Sequence, residues 1–145
     1  MGISIGSSPV LTATHSGGMR FTAEIRGHRI ETDQPVYGGG EDAAAMPLEL
    51  LSASLGTCVA LYVRQFLLSR GLPDEGLRVE VVTEMADKPK RIGGFAVQVI
   101  IPEGVPDEYR ERIERVAASC PAHNTLMHPP EIRFAFATVE AAAAV

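Results

Sequence analysis

The chain has 145 residues, 46% of them apolar, and a net charge of −5. This is the size of one domain, residues 1–145, and a chain this long buries about 68–70% of its unfolded surface, enough for a core without disulfide staples. The acidic balance and the lack of a Lys/Arg run argue against nucleic acid and against an anionic membrane surface as partners.

The opening residues, MGISIGSSPVLTATHSGG, have no basic segment followed by a long apolar one, so no signal peptide is expected. Gly6 stands where a myristoylation signal wants Ser or Thr. The expected location is the cytoplasm. Two cysteines in a reducing compartment are reactive, metal-bound or merely buried rather than a structural disulfide, and composition does not choose among the three.

Val10–Thr14 is β-prone, Met19–Ile25 alternates apolar and polar, and Arg29–Thr32 alternates again after a turn at Gly27-His28. The spacing predicts an antiparallel meander. Residues 37–46, YGGGEDAAAM, lack periodicity and predict a mobile loop, with Gly38-Gly39-Gly40 as a hinge or lid. The run lacks the Lys-Ser/Thr of a phosphate loop.

Pro47 suits the first position of a helix that should run to about Arg70, before Gly71-Leu72-Pro73. Its middle is apolar on nearly every side. The uncharged stretch between Glu49 and Arg64 is shorter than the ~20 residues of a membrane span and carries Ser52, Ser54 and Thr57, so a buried central helix is predicted. Leu77–Met85 and Ile92–Ile101 predict a hairpin, Asp107–Ser119 an amphipathic helix, and Ile132–Val139 a final strand with Phe134 and Phe136 on one face. The AAAAV tail should fray. Strands and helices do not alternate strictly, which indicates α+β, with antiparallel sheet covering a central helix.

Cys58 falls in mid-helix, where a free cysteine is commonly a packing residue and receives no help from a helix terminus; a thiolate there needs a cation from elsewhere. Cys120 precedes Pro121. It either ends a helix or caps a new one, in which case its sulfur faces unpaired N–H groups. Cys120, His123 and His128 could chelate a metal, but zinc sites want a second ligand pair at similar spacing, and none lies near Cys58. His15 and His28 fall in surface segments. Ser52, Ala53, Gly56 and Ala60 share one side of the long helix and admit close packing, either of this chain's own sheet or of the matching helix of a second subunit.

Pro47-Leu48-Glu49-Leu50-Leu51 with Leu55-Gly56-Thr57-Cys58 resembles the proline-opened helix of the OsmC/Ohr family (osmotically inducible protein C and organic hydroperoxide resistance proteins), and Cys120-Pro121-Ala122-His123-Asn124-Thr125-Leu126 resembles its second cysteine motif. With the Gly-rich lead-in GGGEDAAAMP, the resemblance covers nearly the whole chain and points to a less characterised OsmC-like branch. It implies an intertwined homodimer with sites at the subunit interface and reduction of organic hydroperoxides by two cysteines. Cys58 would be the peroxidatic thiolate, oxidised to a sulfenic acid, and Cys120 the resolving thiol. Their disulfide would be reduced by an external dithiol, with no metal or other cofactor.

The resemblance also implies an activating arginine, here Arg20, and a helix-start glutamate that holds it. The family glutamate directly follows the proline; this chain has Leu48 there and Glu49 next. Nine residues separate Glu49 from Cys58, which puts them on opposite sides of a straight helix and about 13.5 Å apart along its axis. Glu49 should therefore act on a partner subunit's site or by placing Arg20. The alternative use of the same fold is a non-enzymatic stress protein that binds an apolar small molecule at the dimer interface.

Overall fold

The computed structural model describes residues 10–142. The expectations about a leader or lipid signal in residues 1–9, and about fraying of the last three tail residues, lie outside the described residues. The meander is present as β1 (Thr12–Gly17), β2 (Arg20–Ile25) and β3 (His28–Thr32), paired antiparallel in the order β1-β2-β3. The β2–β3 turn is one residue earlier than expected. It uses Arg26 and Gly27, both at positive φ, as tight two-residue hairpins require.

The long helix, α1, runs from Pro47 to Ser69. It opens on Pro47, while the Glu49 carboxylate reaches back to accept a hydrogen bond from the Met46 amide at 2.8 Å. By length and composition α1 could cross a membrane, but its buried stripe of Leu55, Val59, Val63 and Leu67, at four-residue spacing, forms the centre of the core with Ile113 and Cys120.

The hairpin is longer than its alternation suggested: β4 (Arg78–Asp87) pairs with β5 (Lys90–Ile100), closing on Lys88-Pro89. A bulge opposite Glu84 and Met85 takes up Gly93, where a Cβ would lie only 2.9 Å from the Ala86 side chain. The amphipathic helix is tighter at its start, a 3-10 turn over Asp107–Tyr109 leading into α2 (Arg110–Ala117). Then α3 (Pro121–Met127) follows, and α4 (Val139–Ala142) ends the described chain.

α1 packs against β4, β5, α2 and α3. The three N-terminal strands, by contrast, pack extensively only on one another, and most of their residues are exposed. One expected element is absent: residues 129–138 carry no regular structure, and Ile132, Phe134 and Phe136 are exposed, Phe136 to 94%. The β-prone alternation is there, but a strand also needs an edge to pair with, and among the described residues neither sheet takes this segment in. The result is an α+β fold of two small antiparallel sheets and a long central helix.

Leu67 is fully buried. Leu67→Ala should lower unfolding free energy by about 2–5 kcal/mol, the range for deleting a core leucine, measured by chemical denaturation.

Candidate functional site

The two cysteines, 62 positions apart in the chain, meet in the core. Cys58 is half-buried on α1 and packs against the cluster that contains the fully buried Cys120. Proline at the first position of α3 fixes the chain's entry, leaving Cys120 in extended conformation at the N-cap. Its Sγ accepts a hydrogen bond from the His123 amide at 3.3 Å. The sulfur thus satisfies an otherwise unpaired donor of the first helical turn.

The expected local activation of Cys120 is outweighed. Burial pushes its thiol pKa up; the His123 amide opposes this, but a hydrogen bond and charge interaction with Cys58 push it further in the same direction. Negative charge at Cys58 therefore favours the protonated form of Cys120. The arrangement suits one thiolate attacking while the other waits as a thiol.

The other implicated residues lie apart from this pair. Arg20 begins β2 after the Gly17–Met19 turn, and its Nη2 lies 3.6 Å from a Glu41 carboxylate oxygen. Glu49 is occupied at the start of α1, on the Met46 amide. Among the described residues, neither Arg20 nor any lysine is hydrogen-bonded to a cysteine sulfur. A thiolate at Cys58 would need a cation from elsewhere in the structure, as its mid-helix position implies.

The glycine-rich segment is not a loose loop. The Asp33 side chain, 1% exposed, sits inside it: Oδ1 accepts from the Gln34 amide at 2.8 Å, and Oδ2 from the amides of Glu41 at 3.1 Å and Ala43 at 3.0 Å. The Ala43 amide above all, then those of Gln34 and Glu41 and the charge of Arg20, hold this carboxyl below its usual range against the opposing effect of burial. Gly40 approaches so closely that a Cβ there would collide with the Gln34 carbonyl oxygen. Asp33 was not singled out in the sequence, although an Asp one residue before Gln-Pro carries the signal of a side chain turning back on its own backbone.

Two hollows border α1. The small side chains Ser52, Ala53, Thr57 and Ala60 line a groove of about 390 Å³ with Val79 and Val81. Gly56 lies at its floor, where a Cβ would stand 3.1 Å from Val81. The small face thus serves this chain's own sheet at Gly56 and stays open elsewhere. A larger cleft of about 900 Å³ lies between β5, α2 and α3, walled by Leu55, Val59, Phe95, Ile113 and Leu126, with His123 at its edge. The His123 Nδ1 is buried there without a hydrogen-bond partner.

The other histidines have local roles: His15 contacts the Gly18 carbonyl at 3.0 Å, and His128 the Asn124 carbonyl at 3.3 Å. Among the described residues no group of three His, Cys, Asp or Glu side chains is placed to hold a metal ion.

No curated protein matches the sequence. Solved structures do resemble the fold. An osmotic stress induced and detoxification response protein of Psychrobacter arcticus superimposes with a TM-score of 0.77 at 22% identity, over 85% of this chain and 91% of that one. An OsmC-like protein of Mycoplasma pneumoniae gives 0.72 at 21% identity, over 86% and 91%. An organic hydroperoxide resistance protein of Legionella pneumophila gives 0.59 at 20% identity, over 85% and 91%. At these identities the likeness is one of fold. A family model described as OsmC-like protein matches residues 39–135, from the glycine-rich segment through both cysteine motifs. The chain belongs to the OsmC-like protein family.

Proposed function

We propose that the protein is a thiol-dependent peroxidase that reduces organic hydroperoxides through Cys58 and Cys120. The observation that carries the reading is the meeting of the two thiols, one half-buried and reachable, the other fully buried and kept protonated. The names of the structural relatives, with their stress and hydroperoxide-resistance themes, are consistent with it.

In this reading the Cys58 thiolate attacks the terminal peroxide oxygen. The O–O bond breaks, the alkoxide takes a proton and leaves as alcohol, and Cys58 becomes a sulfenic acid. Cys120, deprotonated, attacks that sulfur. Hydroxide leaves and is protonated to water, and a disulfide forms. An external dithiol reduces it by exchange and is itself oxidised to a disulfide. No cofactor takes part. The cytoplasm, with its dithiol reductants, is the proposed location.

The reading requires a homodimer. The Arg20 strand packs extensively only within its own small sheet, and in this reading Arg20 serves the Cys58 of a second copy. Three surfaces support such an assembly: the sparsely buried N-terminal sheet, the open part of the α1 groove, and the exposed Ile132–Phe136 segment. Half-exposed Leu48, Leu51, Leu61 and Leu68 on α1 add apolar area that one chain leaves in water.

Cys58→Ser should abolish turnover of cumene hydroperoxide with a dithiol. Cys120→Ser should permit one stoichiometric oxidation and block recycling. Titration of free thiols separates this from ligand binding in the apolar cleft: loss of two thiols per chain on adding peroxide is expected, and no loss favours the binding protein.

Cys58 raises the Cys120 pKa, so Cys58→Ala should move the pH midpoint of Cys120 alkylation downward. An unmoved midpoint would contradict the contact between the thiols.

Sedimentation should give twice the chain mass, and Ala53→Arg, on the exposed side of the groove, should shift the protein toward monomer. A wild-type monomer would remove Arg20 from the reaction.

A further inference from the structure

We propose that Asp33 is the positioning residue for Arg20, acting through the backbone and side chain of Glu41. The inference rests on the reading of Arg20 as the group that activates the peroxidatic thiol, and it adds what holds that arginine in place.

The connection is short and each link is specified. Asp33 follows β3 directly, and β3 is hydrogen-bonded to β2, the strand that Arg20 begins. The Asp33 carboxylate closes the segment from Gln34 to Ala43 by accepting three of its backbone amides, among them that of Glu41. The backbone reinforces the closure: the Asp33 amide donates to the Ala45 carbonyl at 3.3 Å, and that of Asp42 to the Gln34 carbonyl at 3.0 Å. The Glu41 main chain is therefore fixed relative to β2, and its carboxylate lies 3.6 Å from Arg20 Nη2.

By itself, an ion pair as exposed as this one would hold an arginine loosely. What changes the balance is that the carboxylate is presented from a backbone already ordered by a buried charge, so that pairing costs side-chain freedom but no further backbone freedom. A second negative charge, that of Asp33 itself, stands close enough for Arg20 to lower its pKa. Glu49 cannot add to this within the chain, because its carboxylate is engaged at the start of α1.

The chain thus has its own acidic support for Arg20, drawn from the glycine-rich segment rather than from the helix. The tight approach at Gly40 belongs to the same device. A side chain there would displace Gln34 and the Asp33 carboxylate together.

The test reads Arg20 directly and then the thiol. In the full-length protein, phenylglyoxal modification of Arg20 is followed by peptide mass spectrometry against Arg110 and Arg115 as internal references. Asp33→Asn should raise Arg20 modification several-fold, and Glu41→Gln should raise it by less. The pH midpoint of Cys58 alkylation should rise in Asp33→Asn toward that of Arg20→Ala, and adding Asp33→Asn to Arg20→Ala should move it no further.

A merely structural Asp33 would lower the melting temperature and leave both readouts unchanged, and that result overturns the proposal. If Asp33→Asn does not fold, Glu41→Gln at its exposed site carries the test, and wild-type Arg20 modification in that variant overturns the proposal equally. Raised Arg20 modification with unchanged Cys58 titration and peroxide kinetics supports the positioning and overturns the catalytic reading of Arg20, so the two failures are told apart.

Discussion

The structure depends on a helix with more apolar surface than one chain covers. α1 buries a single stripe, Leu55, Val59, Val63 and Leu67, against the hairpin and the two following helices. The hydrophobic effect acts on the remaining leucines as strongly as on these four. That surplus explains the other unusual features. A three-stranded sheet is formed but not packed extensively on the core, Phe134 and Phe136 stand exposed in a segment without regular structure, and small side chains on the helix line an open groove.

The same constraint sets where chemistry can occur. The core brings Cys58 and Cys120 together because α3 packs on α1 and begins on a cysteine. Burial alone makes a poor nucleophile, since it favours the neutral thiol. It makes a good reserve thiol. Arg20, proposed to ionise the other sulfur, lies on the loosely attached sheet.

Much of this was legible in the sequence. Periodicity located the meander, the long helix, the hairpin and the amphipathic helix to within a few residues, because each is stabilised by local pattern and by one buried face. The final strand at Ile132–Val139 was misread, since alternation reports only that a strand would have two faces and not that a neighbouring edge exists. The Cys-Pro pair left open whether Cys120 ends a helix or caps a new one, and the structure makes it the cap of α3. Its raised pKa was not visible, because burial and the Cys58 contact are tertiary facts. Three adjacent glycines suggested mobility, and the structure shows close approach instead. What orders that segment is one carboxylate, Asp33, whose partners are backbone amides and therefore leave no mark in residue types. Glu49 was rightly placed away from its own Cys58 by helical geometry, and its engagement at the helix start follows from standing three positions after Met46.

The cap on α3 has a consequence of its own. The helix has seven residues, and its first turn is closed by a sulfur rather than an oxygen. A hydroxyl or carboxylate in that role keeps its accepting strength under ordinary redox conditions. A sulfur does not: as thiolate it accepts strongly, as thiol weakly, and its orientation is constrained once it is bonded to a second sulfur. His123 and Leu126, which wall the larger cleft, ride on that helix. A change of protonation or oxidation at this one core atom would therefore act on the first turn of a helix whose side chains wall the cleft.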